Sequence, residues 1–430
     1  TRVRSSAASD VYKRQMAIFD ESAAPAPLRP IVRQVARVLW LSAEEPNRNL
    51  SGGSIRCAHL LEALARRTET HVITLGPLRD LLTREHLASV TELSPIPARP
   101  TRSRTLRRVE DLRRALLTRE PSEIIDGASA RTAFARVIGQ ASGFDVVCVE
   151  HHGLAPLLPV HRSNRWTLTL HNLPSHVAAQ AASVAPAGRQ RFLLRREQAK
   201  AARRELWAVR SYDLVFTVSD EDAAGVPGPT VVVPNGVDIR RFHPTPLPDA
   251  PRLVLTAMLS YQPNVDGARW FCNEVLPLVT AQVPDVTLDL VGRQPVAEVQ
   301  SLANRPGIRL RADVPDVLPW LQSARVAVVP LRIGSGTRLK ALEAMAAGRP
   351  VVGTSIGLAG LGLVPGRHAV VADDAETMAG GIVSLLLEDE GARRLAAAGR
   401  ALVKARFSWD RVSAIYLDAL LGTNQPATSR

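Results

Sequence analysis

Short, unbroken runs of β-branched and apolar residues recur along this 430-residue chain, and longer stretches with helical spacing separate them. No other feature limits the fold as much. A strand that is apolar on successive residues must be covered on both faces, which parallel sheets sandwiched between helices provide. The first series of runs is VARVLWLS (35–42), THVITLG (70–76), FDVVCVE (144–150), WTLTLH (166–171) and YDLVFTVS (212–219). The second is RLVLTAML (252–259), VTLDLVG (286–292), GIRLRA (307–312), ARVAVVPL (324–331), RPVVGT (349–354) and HAVVAD (368–373). Between them lies VVVPNGVDIRRFHPTPLPDAP (231–251), with five prolines and an Asn-Gly turn, which is expected to continue neither sheet. Two doubly wound α/β units in tandem follow, with a ligand expected in the cleft at the carboxyl ends of their strands.

At 46% hydrophobic residues the chain is too apolar for general disorder. It has no apolar run of the roughly 18 residues that a spanning helix needs. Cys57, Cys148 and Cys272 are spaced for neither a disulfide framework nor a zinc site. Buried thiols in a reducing, cytoplasmic compartment are expected. The net charge is +13, and residues 16–240 hold 30 basic against 23 acidic groups. The first fifteen residues read as a foreign leader before Met16, and residues 1–29 are expected to be disordered. Two clusters concentrate the charge: Arg99, Arg102, Arg104, Arg107, Arg108, Arg113 and Arg114, then Arg189, Arg191, Arg195, Arg196, Lys200, Arg203 and Arg204. Solvated helix faces or contact with an anionic membrane would use them. With 4% aromatics and no recognised binding module, nucleic acid is not an expected partner.

The most informative stretch is ARVAVVPLRIGSGTRLKALEAMAAGRPVV (324–352). A buried strand ends near Leu331, a glycine-containing loop follows, and a helix is predicted from Thr337 to the stop at Gly348. Gly334 and Gly336 admit close approach of a ligand, and the helix start offers N–H groups to an anion. Arg338 and Lys340 add cations where the helix dipole opposes them, a placement that makes sense above a phosphate. Glu343, one turn beyond Lys340, would reach ligand hydroxyls. The spacing is not that of a Walker loop. A second loop holds Gly52 and Gly53 at another predicted helix start, with Ser54 as the expected N-cap. It lacks the Gly-x-Gly-x-x-Gly of a nicotinamide-binding unit, which disfavours a dehydrogenase. His171-Asn172 ends one strand, and His151 and His152 end the strand before it.

Taken in order, SGGSIRCAHLLEAL, His171-Asn172, VFTVSDED, VVPNGVDIRRF, YQPNVDGARWF, LDLVGRQP, GSGTRLKALEAMAAGRPVV and FSWDRV resemble the nucleotide-sugar-dependent family 4 glycosyltransferases. The resemblance implies a GT-B fold: an N-terminal Rossmann-like acceptor domain (30–235), a linker (236–251), a C-terminal donor domain (252–406) and a final segment (407–430) whose helix, beginning near Trp409, crosses back to the first domain. It also implies retaining sugar transfer to a glycan or lipid-linked acceptor in bacterial cell-envelope synthesis, with the leaving phosphate deprotonating the acceptor. Glu343 matches the second carboxylate of the family's Glu-x7-Glu motif, which holds the donor ribose. His171 matches the histidine beside the donor sugar. Gly52 and Gly53 match the loop near the diphosphate and acceptor. Gly334, Ser335, Gly336, Thr337, Arg338 and Lys340 complete the donor contacts. Two departures stand out: Ser335 occupies the position of the first Glu, and MLSYQPNVDG (258–267) lacks the family's Arg and Lys pair. No Asp-x-Asp at a strand end offers a divalent-ion site, so no metal or other cofactor is expected. An epimerase, or a non-catalytic nucleotide-sugar-binding protein, would share the fold.

Overall fold

The computed structural model describes residues 35–422, apart from 44, 49–50, 76–77, 79–83, 94–120, 122–127, 136–137, 158–163, 227 and 335–337. The expected leader and the first arginine cluster lie outside the described residues.

All eleven anticipated strands form, and they divide between two parallel sheets. The first contains β1 (Arg37–Ser42), β2 (Glu69–Leu75), β3 (Ser89–Leu93), β4 (Val146–Glu150), β5 (Arg165–Thr169), β6 (Leu214–Thr217) and β7 (Thr230–Val232), in the order β3-β2-β1-β4-β5-β6-β7. The second contains β8 (Arg252–Met258), β9 (Thr287–Arg293), β10 (Ile308–Ala312), β11 (Val326–Val329), β12 (Val351–Gly353) and β13 (Val370–Val371), in the order β10-β9-β8-β11-β12-β13. In each sheet the order reverses beside the first strand, the topological switch point at which such sheets hold ligands.

The expectation that the segment from residue 231 continues neither sheet is corrected at its start. Val231 and Val232 belong to β7, which pairs in parallel with β6. Pro234 then ends the pairing, since it has no N–H to donate. Side chains help to hold the remaining linker. Arg349, fully buried just after the helix stop, donates to the carbonyls of Thr245, Pro246 and Ala324. Its burial lowers its pKa to about 10, which leaves the guanidinium charged at neutral pH.

Six helices position the site: α1 (Gly52–Ala65), α2 (Pro174–Val184), α3 (Arg189–Ser211), α4 (Gln262–Trp270), α5 (Leu339–Ala346) and α6 (Trp409–Leu421). Although α6 follows the second sheet in sequence, it packs on α1 and the first. Trp409, Val412, Tyr416, Leu417 and Leu420 share a core with Leu60, Leu61, Trp40 and Phe216. Each large apolar side chain so buried contributes roughly 1.5–3 kcal/mol, enough to hold the chain's end across the cleft. Trp409 stacks on His59 at 4.4 Å and lies against Gly236, where a Cβ would come within 2.5 Å of the indole. Beside this stack Val237 N–H donates to the Phe407 carbonyl at 2.8 Å, so the linker and the returning chain run side by side.

Candidate active site

One cavity of about 550 Å³ is lined from both sheets. Gly52, Gly53, His171, Gly334, Arg338, Lys340 and Glu343 all line it, although 291 positions separate the first from the last. Ser335, Gly336 and Thr337 lie outside the described residues.

Two helix starts differ from the sequence expectation. Ser51, rather than Ser54, caps α1: its hydroxyl accepts from Ser54 N–H at 3.1 Å. Gly52 can then open the helix, and its bare backbone faces Leu339 Cδ1, 2.9 Å from where a Cβ would stand. Helix α5 begins at Leu339, and Arg338 is its extended N-cap residue. Arg338 therefore leaves the first turn and reaches back to the Ile356 carbonyl, with its guanidinium beside Gly334. Gly334 has φ of 144°, a conformation that suits glycine. Its N–H donates to Gln180 Oε1 of α2 at 2.6 Å, which joins the loop before α5 to the opposite half.

Lys340 Nζ donates to Asn264 Oδ1 at 2.5 Å, and Asn264 Nδ2 donates to the Met258 carbonyl. Asn264 thus stands in the segment that lacks the family's basic pair, and it orients the lysine supplied by α5. Burial and the charge of Arg338 lower the Lys340 pKa to about 7, against a smaller upward pull from Glu343. Burial raises the Glu343 pKa to about 7, opposed by Arg241 and Lys340. The Glu343 carboxylate makes no side-chain hydrogen bond or ion pair with the described residues and faces the cavity. Two acceptor oxygens there, beside a lysine amine, suit a ligand carrying adjacent hydroxyls and an anionic group.

Across the cavity, His171 Nε2 lies 3.4 Å from Glu150 Oε2. Glu150 is buried at the end of β4, where its other oxygen accepts from Thr169 Oγ1 at 2.9 Å. His151 also lines the cavity, with φ of 89°. His152 is buried instead, and desolvation pushes its pKa well below the usual histidine value. Asn264, Arg241, His151 and Glu150 were not assigned from the sequence. Local signals there were the Pro-Asn at the start of a helix for Asn264 and the strand-end position for His151.

Residues 50–241 match the family described as Glycosyltransferase Family 4. Residues 250–388 match the family described as Glycosyl transferases group 1. The chain belongs to the family 4 glycosyltransferases. It is 29% identical over 245 residues to the glycogen synthase of Mycobacterium tuberculosis, an alignment covering 52% of this chain and 58% of that protein. It is also similar to the sucrose-phosphate synthase of Thermosynechococcus elongatus, with a TM-score of 0.65 and 20% identity over 88% of this chain and 96% of that one. The Anabaena protein Alr3699/HepE, solved in complex with UDP-glucose, superposes with a TM-score of 0.61 and 15% identity, covering 90% of this chain and all of that one. These likenesses establish the GT-B fold for this family 4 glycosyltransferase. The chain spans about half the length of the curated relatives it matches first.

Proposed function

We propose that this glycosyltransferase moves a sugar from a nucleoside diphosphate to a glycan or lipid-linked acceptor, with retention of configuration and without a metal. The observation that carries the reading is the Glu343 carboxylate, without a side-chain hydrogen bond among the described residues, beside Lys340 on α5 and facing Gly52, Gly53 and His171 across one cavity. Glu343 accepts from the ribose hydroxyls, while Lys340 and Arg338 neutralise the diphosphate in place of the family's basic pair. As the acceptor oxygen bonds to the anomeric carbon, the bond from that carbon to the phosphate oxygen breaks. The electron pair leaves with the diphosphate, and the acceptor proton passes to a phosphate oxygen. Fixed positive groups stabilise that leaving charge without reorganising during the step. His171 orients the donor sugar, and contact between the two halves excludes water. Family membership favours transfer over epimerisation or simple binding.

The exposed side of α3 presents Arg189, Arg195, Arg196 and Arg203 with Phe192, which is 58% exposed. Lys200 is buried instead and pairs with Glu197, so it is not part of that face. The exposed set suits an anionic bilayer carrying a lipid-linked acceptor. No helix among the described residues is long and apolar enough to cross a membrane.

The test is thermal stabilisation by UDP-, GDP- and ADP-sugars, with and without EDTA, because ligands of the native state raise its Tm. UDP-sugars head the panel, given the UDP-glucose bound by HepE. One nucleotide is expected to stabilise selectively, EDTA to change nothing, and Glu343→Ala to abolish the shift. Lys340→Ala is expected to cost at least about tenfold in donor affinity or turnover. Wild-type kinetics in that variant would remove lysine from the diphosphate site.

A further inference from the structure

Behind the cavity wall at His171 lies a second grouping, with two members that sugar transfer does not use. Cys57 on α1, Glu150 at the end of β4 and His171 beyond β5 bring a sulfur, a carboxylate oxygen and an imidazole nitrogen within 4.8 Å of one another. Cys57 and Glu150 are each 1% exposed, and His171 lines the cavity. Glu150 Oε2 and His171 Nε2 are both buried and face each other at 3.4 Å, without meeting hydrogen-bond geometry with any described residue. Buried polar atoms rarely stay unsatisfied. Here two of them converge beside a thiol, which makes a donor set for an electrophile.

We propose that Cys57, Glu150 and His171 bind a zinc ion, and that zinc held there inhibits the enzyme. Sulfur, nitrogen and oxygen ligands at roughly 2.0–2.3 Å from zinc stand about 3.6 Å apart in a tetrahedron. Side-chain shifts of about an ångström close the observed spread to that geometry. Magnesium and calcium prefer oxygen ligands and are poorly served by a thiol and an imidazole. Because His171 borders the cavity, the fourth position is open to water. As the sulfur–zinc bond forms, the Cys57 proton leaves to solvent, and the thiolate and the Glu150 carboxylate balance the ion. Buried Arg56 interacts electrostatically with both Glu150 and Cys57 and opposes a cation. That opposition suits reversible, inhibitory occupancy better than a permanent structural ion. Bound zinc ties down the histidine assigned to the donor sugar. The inhibition therefore rests on the transferase reading, whereas the binding does not.

The test is calorimetric titration of the full chain with zinc chloride in two buffers of different ionisation enthalpy. One zinc per chain is expected, with about one proton released and at least about tenfold weaker binding in Cys57→Ala. X-ray absorption is expected to show one sulfur in the zinc shell. Absence of saturable binding up to about 0.1 mM zinc, or unchanged affinity in Cys57→Ala, would overturn the site. So would a zinc shell without sulfur. If Cys57→Ala melts early, Cys57→Ser and Glu150→Gln supply the same comparison. Zinc is expected to block transfer by wild type and to spare Cys57→Ala. Tight binding with the sulfur signature but equal inhibition of both proteins would keep the site and overturn its role. Zinc binding with no transfer from any donor would instead count against the transferase reading.

Discussion

Lys340 and Glu343 face one cavity from adjacent turns of α5, and burial moves both pKa values to about 7 from opposite sides. Donor binding is therefore expected to depend on pH in both directions. A diphosphate favours the charged lysine and raises its pKa, so above pH ~7 the complex holds more protons than the free enzyme, and affinity falls as pH rises. Ribose hydroxyls donating to Glu343 favour the carboxylate and lower its pKa. Below pH ~7 the free enzyme then holds more protons, and affinity falls as pH drops. Each limb is worth up to ~1.4 kcal/mol per pH unit, about tenfold in Kd, until the pKa in the complex is reached. Calorimetric or fluorescence titration with the nucleoside diphosphate, in steps of pH from about 5.5 to 9.5, should give a maximum near neutrality. Lys340→Arg keeps its charge and should lose the alkaline limb, while Glu343→Gln should lose the acid limb and bind more weakly throughout. A flat wild-type profile, or an alkaline limb that persists in Lys340→Arg, would refute the assignment of these two groups.

Gln180→Ala removes the hydrogen bond to Gly334 and is expected to raise donor hydrolysis relative to transfer by about threefold to tenfold, in keeping with a net bond strength of ~0.5–1.5 kcal/mol. Nucleotide release with and without acceptor measures the ratio, and an unchanged ratio makes the contact incidental. Trp409→Ala should cost about 3–5 kcal/mol in denaturant unfolding, because it empties a buried site between His59 and Gly236. A loss below about 1 kcal/mol would mean that α6 is held without it. Gly292→Ala should be among the most damaging small substitutions, since its Cβ would stand 1.7 Å from the Ala257 carbonyl oxygen in the adjacent strand. A wild-type Tm in that variant would show that β8 and β9 are able to separate freely.

Legibility from sequence followed the physics of burial. Central strands such as β4 (VVCVE) and β11 (VAVV) are buried at every residue, so their composition alone identified them. The two missed strands lie at sheet edges. SVTEL in β3 has no fully buried residue, and β7 is three residues long beside a proline. Helix α5 was readable because its cations, carboxylate and glycine stop lie within fifteen residues. The Arg338 cap position was not, since it depends on a backbone angle set by contacts with Ile356 and Gly334. The Cys57–Glu150–His171 grouping was equally hidden. Cysteine spacing argued against a metal site, yet β4 and β5 lie side by side and the fold brings Cys57 of α1 next to Glu150 and His171 at their ends.

The chain passes between its two sheets twice, and the two passages touch where Val237 meets Phe407 and Ser408. Two adjacent tethers remove most of the ways in which one half could move against the other. Sliding would shear both strands, and separation would stretch both, but rotation about the line through the paired segments strains neither. Such a pivot would keep Glu343 and Lys340 opposite Gly52 and His171. Under the proposed transfer, alignment of donor and acceptor would then follow from how the halves are joined, and each substrate would have only to fill its own side.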